Sequence, residues 1–62
     1  TVKDSPCNGD FVVCYRRNAA YHMGLYYNGG ILHAAHGIGS VFEPQRRFLD
    51  QYNNVEYGSW KP

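Results

Sequence analysis

Asn28-Gly29, set between the apolar and aromatic runs Tyr21 to Tyr27 and Gly30 to Ala35, constrains this chain more than any other feature. A type I′ turn needs positive φ at both central residues, and Asn-Gly adopts it at least cost. The two runs are therefore predicted to form a two-residue β-hairpin. Such a turn also sets the register. Tyr27 then pairs with Gly30, Leu25 with Leu32, Gly24 with His33 and Met23 with Ala34. Because side chains alternate along a strand, Met23, Leu25, Leu32 and Ala34 share an apolar face, and His22, Gly24, Tyr26, Ile31 and His33 share the other. A three-residue loop through Gly30 would instead pair Tyr27 with Ile31 and send His33 to the Met23 face.

The rest of the chain reads as short strands around this hairpin. Thr1 to Asn8 is polar, carries Pro6 and reads as a lead-in segment. Gly9-Asp10 punctuates the start of a strand over Phe11 to Tyr15, and Arg16 to Ala20 reads as a polar turn. His36-Gly37-Ile38-Gly39 forms a glycine-rich corner, and Ser40 to Glu43 reads as a strand ended by Pro44. Behind that proline, Phe48, Leu49 and Tyr52 fall at helical spacing, which predicts one short helix over Gln45 to Tyr52. Asn53-Asn54 breaks it, and Val55 to Trp60 reads as the last strand. The expected class is α+β: a small antiparallel sheet with one short helix, in a single domain whose sheet occupies residues 9–62.

Sixty-two residues bury only about 60% of the surface that the unfolded chain exposes. A core of this size rarely supplies more than about 3–5 kcal/mol, so stability is expected to be marginal without a disulfide, a metal, an oligomer or a neighbouring domain. A disulfide is not expected: the two cysteines, Cys7 and Cys14, could pair only if the chain folded back between them, and Val12-Val13-Cys14 looks extended. Both are read as free thiols. The net charge of +1, with Arg16, Arg17, Arg46 and Arg47 the only clustered positives, leaves no basic stripe of the kind that binds nucleic acid. Arg46-Arg47 reads as a solvated helix face. No apolar stretch approaches the length that crosses a bilayer, and no charged-then-apolar signal opens the chain, so membrane insertion is not expected.

The histidines carry the chemistry. On one face of the hairpin, His22 and His33 are diagonal neighbours about 7–8 Å apart between backbones, within reach of a side-chain hydrogen bond. Gly24 sits opposite His33 with no side chain in the way. Two imidazoles so placed suit a nucleophilic site, where one ring takes a thiol or hydroxyl proton and the other fixes its tautomer and orientation. Ser5, Ser40 and Ser59 are poorly placed to be the nucleophile, and neither Cys7 nor Cys14 has the helix N-terminal setting that favours an activated thiolate. The cysteines read as small apolar fillers. A metal site on His22, His33 and His36 fits no compact ligand spacing and has no adjacent carboxylate.

Gly9-Asp10-Phe11-Val12-Val13, then His22-Met23-Gly24-Leu25-Tyr26, then Gly30-Ile31-Leu32-His33-Ala34 resemble the "GD-strand, HxGIY, xxHA" series of NlpC-type papain-like cysteine peptidases. The continuation Gly37 to Arg47 and the ending Tyr57 to Pro62 are similar to versions encoded in phage tail modules. The resemblance covers nearly all of the chain from Gly9 onward. It implies the C-terminal β-sheet half of a papain-like fold, in which a helix bearing the nucleophilic Cys packs on a sheet bearing the His base. His22 matches the base and His33 the orienting residue. The implied activity is cleavage of peptidoglycan stem peptides, without cofactor, by a virion tail protein acting at the bacterial cell wall. Family members carry the nucleophile upstream of the Gly9-Asp10 strand, and this chain has no such motif. The resemblance therefore implies a Cys-bearing segment upstream or on another chain, with other phage tail proteins as partners. The alternative expectation is a noncatalytic structural or assembly domain of a phage tail.

Overall fold

The computed structural model describes residues 2–60. Its elements follow in the order β1 (Val2–Lys3), β2 (Phe11–Arg16), β3 (Ala19–Tyr27), β4 (Gly30–Ala35), β5 (Gly39–Pro44), α1 (Gln45–Gln51) and β6 (Val55–Gly58). The strands form one six-stranded sheet in the order β1-β6-β2-β3-β4-β5, and every pair is antiparallel. The described residues form an α+β architecture with one helix on one face. Among the described residues no helix is long and apolar enough to cross a membrane.

The β3–β4 hairpin has the expected register, with Gly24 opposite His33, Leu25 opposite Leu32, Tyr26 opposite Ile31 and Tyr27 opposite Gly30; the ladder stops there, short of the expected Met23–Ala34 pair. Asn28 and Gly29 both have positive φ, 46° and 81°, as a type I′ turn requires. The tip is pinned from outside: the Asn28 N–H donates to Asn8 Oδ1 at 2.8 Å, and Asn8 Nδ2 donates to Asn28 Oδ1 at 3.0 Å. Asp10 ties the same end together. Its Oδ2 accepts the Cys7 N–H at 2.7 Å and its carbonyl accepts the Tyr26 N–H at 2.8 Å.

Three boundaries differ from the expected ones by more than a single residue. The lead-in segment holds β1, which extends the sheet by pairing with β6. Arg16 to Ala20 is a second tight hairpin, with Arg16 opposite Ala19 and positive φ at Arg17 and Asn18; with no glycine in the turn, composition hides it. The final strand stops at Gly58, and Trp60 turns edge-on to Phe11 with ring centroids 5.1 Å apart. Helix α1 lies where Pro44 and the Phe48, Leu49, Tyr52 spacing place it, and Tyr52 is its C-cap.

The core lies on the histidine face. Val12, Cys14, Ile31, Phe48 and Tyr57 are buried together, with Tyr26, Leu49, Tyr52 and Val55 packed around them. Phe48 from α1 closes this face and is fully buried. The opposite face is the apolar one by composition, yet Met23, Leu25, Leu32 and Phe42 remain 41–53% exposed on it. The sheet has one helix and buries one side.

Candidate active site

Strand β3 carries His22 at a register shift. Cys14 pairs with His22 and Tyr15 with Ala20, so Tyr21 is an extra residue in β3. A bulge of this kind re-aims side chains; here Tyr21 lies against Tyr52 on the His22 side, with ring centroids 6.2 Å apart. Strand β4 supplies His33 opposite Gly24. A Cβ at position 24 would lie 2.6 Å from Ile31 Cγ2 and 3.1 Å from His33 Cβ, so the glycine gives both side chains their room.

The two rings meet as the hairpin register predicts. His22 Nε2 and His33 Nδ1 are 2.9 Å apart, and the rings are nearly perpendicular at 88°. His33 is only 5% exposed, whereas His22 is half-buried and borders an open groove lined by Tyr21, Ala34, Ala35, His36 and Tyr52. Helix α1 clamps the pair. Tyr52 stacks on His22 at 4.6 Å with the rings 8° from parallel, and Phe48 meets His33 edge-on at 4.8 Å. Burial lowers the pKa of His22 below the usual imidazole value, and the neighbouring His33 charge lowers it further. A ring held neutral at physiological pH is able to accept a proton.

A third group completes the row and escapes the sequence reading. Glu43 Oε1 lies 2.6 Å from His33 Nε2, and Glu43 Oε2 accepts from Gln51 Nε2 at 2.9 Å. The hydrogen bond from His33 holds the Glu43 carboxyl below its usual range despite opposing desolvation, with help from Gln51 and the charges of His33 and Arg47. Strand alternation is legible in the sequence, but the β4–β5 register that it needs is not. Strand β5 pairs Ile31 with Glu43 and His33 with Val41, so strand alternation puts Glu43 on the histidine face.

The cysteines and the remaining candidates lie as follows. Both are free thiols, Cys7 exposed and Cys14 buried. Cys14 is directly opposite His22, but burial pushes its thiol up to about 11, so it stays protonated near neutrality. Cys7 belongs to the loop tied to Tyr26, four residues along β3 from His22, a separation of about 13 Å at the usual strand rise. Neither thiol is hydrogen-bonded to His22. Ser40 pairs with Ala34 on the sheet face away from His33. His36 is exposed at the glycine corner and borders the groove, and Arg46 and Arg47 are exposed on α1. Among the described residues no group of three His, Cys, Asp or Glu is arranged to hold a metal ion.

No protein-family model, curated protein or solved structure matches this chain.

Proposed function

We propose that this chain is the histidine-bearing half of a papain-like cysteine peptidase that cleaves peptidoglycan stem peptides, with His22 as general base and His33 as the residue that orients it. The observation that carries the reading is the 2.9 Å contact between a buried His33 and a His22 that borders an open groove. A base needs a fixed ring and an accessible side, and this pair supplies both. The substrate class comes from the resemblance to NlpC-type peptidases, as does the setting, a phage tail protein acting at the bacterial cell wall. Cys14 is buried and protonated and Cys7 is remote, so the reading requires a nucleophilic thiol from a segment outside these 62 residues.

The test is cleavage of purified muropeptides by the complete native protein. Thiol-sensitive hydrolysis is expected, and His22→Ala should lower it by about 10²–10⁴-fold, the usual contribution of a general base. Cys7→Ala should leave it unchanged. Hydrolysis that survives His22→Ala, or that disappears in Cys7→Ala, would reject these assignments. A folded native protein with no hydrolase activity would favour the assembly-domain alternative.

A further inference from the structure

The hydrogen bond between the rings does not by itself say which ring donates. If His33 Nδ1–H donates, His22 Nε2 accepts, and the single proton of neutral His22 sits on Nδ1. Such a ring has no lone pair left to act as a base. If His22 Nε2–H donates, Nδ1 is bare and the ring is a base. Everything therefore turns on one proton position.

We infer that Glu43 is a positioning residue that selects the second arrangement by imposing a direction on the whole row. An ionised carboxylate only accepts hydrogen bonds. With Glu43 Oε1 at 2.6 Å from His33 Nε2, that nitrogen must carry a proton, and whenever His33 is neutral its Nδ1 is bare. A bare Nδ1 facing His22 Nε2 at 2.9 Å makes the latter the donor. His22 Nδ1 is left unprotonated. When that atom takes a thiol proton, the imidazolium keeps its Nε2–H bond to His33, and its charge lies one ring away from the carboxylate. No proton has to reach Glu43. The carboxylate is itself anchored by Gln51 and has Arg47 of α1 nearby, so the helix that clamps the rings also steadies the group that orders their protons. The direction is a property of carboxylate chemistry, and an amide in its place would lack it.

This role rests on the reading of His22 as a base, and two separate measurements keep the two claims apart. The first is nitrogen NMR of ¹⁵N-histidine-labelled chain above neutral pH, which reports the tautomer of each ring directly. Both neutral rings should carry the proton on Nε2. In Glu43→Gln the amide can accept or donate, so His22 should become a mixture of tautomers while backbone amide shifts away from the row stay in place, which a merely structural role would not produce. A wild-type His22 protonated on Nδ1, or a Glu43→Gln tautomer identical to wild type, overturns the inference. If Glu43→Gln does not fold, the wild-type tautomers decide it alone. The second is kinetics of the complete native protein, where Glu43→Gln should lower kcat by about 10–100-fold with KM unchanged. An inactive native protein with both rings protonated on Nε2 would reject the peptidase reading while leaving the ordering role of Glu43 standing.

Discussion

At Gly24 a missing methyl group makes the histidine pair possible: an added Cβ would also come within 2.8 Å of the Leu32 carbonyl, a rigid backbone atom that cannot yield. Between the rings, one residue has its ionisation set by the packing it sits in. The pKa of His22 is lowered from 6.5 by burial and by His33, so the unfolded chain binds a proton at His22 before the folded one does. Stability from this residue is fully present above pH 6.5 and is lost as pH falls through the lower folded value. Glu43, lowered from 4.5, adds a second loss in the same direction at more acid pH. Thermal midpoints should therefore fall as pH is taken from neutral into the acid range, and the first part of that fall should be shallower in His22→Asn. A midpoint that rises on acidification across the first window would contradict the burial of His22.

Two hairpins of the same geometry differ in how well their turns suit it. Asn28-Gly29 is the favoured pair for positive φ, whereas Arg17 at 53° and Asn18 at 66° adopt the same region without a glycine. The left-handed conformation costs an L-residue other than glycine about 1–2 kcal/mol, with Asn less penalised. Arg17→Asn combined with Asn18→Gly should therefore stabilise the chain by about 1 kcal/mol, read from urea unfolding midpoints. A loss of stability would mean that Arg17 or Asn18 makes a contact worth more than the strain. Arg16 is left unchanged in this variant because its guanidinium lies over the Tyr21 ring at 4.6 Å, beside the bulge. Helix α1 shows the opposite balance. Seven residues with no side-chain cap would not be a stable helix alone; Phe48, packed against His33 and the core, holds it in place.

For the whole molecule, one helix cannot cover two faces of a sheet. The apolar residues Met23, Leu25, Leu32 and Phe42 are exposed side by side, and Tyr27 and Trp60 add to the same exposure at 56% and 66%. A contiguous patch of this kind is uncommon on a soluble monomer. Ile31, by contrast, is fully buried on the histidine face beneath the helix. The isolated chain should self-associate with increasing concentration in sedimentation experiments. Leu32→Thr with Phe42→Thr should reduce this while retaining the fold, since threonine suits a strand and both positions face water. Association unaffected by these changes would place the contact elsewhere.

Local chemistry in the sequence determined the hairpin, its register and the pairing of His22 with His33, because a two-residue Asn-Gly turn admits one strand parity and that parity sorts every side chain. It also determined the helix, since Pro44 and the spacing of Phe48, Leu49 and Tyr52 are local signals. Tertiary structure decided which face is buried. Composition favours the Met23, Leu25 and Leu32 face, but α1 follows β5 directly and carries Phe48 onto the histidine side, where Ile31, Val12 and Tyr57 receive it. It also decided the place of Glu43 in the row, which depends on the pairing of β4 with β5 across the three-residue corner His36 to Ile38 rather than a two-residue turn. A glycine-rich corner leaves the register open until the strands pair, and only that pairing brings a carboxylate ten positions away to the ring of His33.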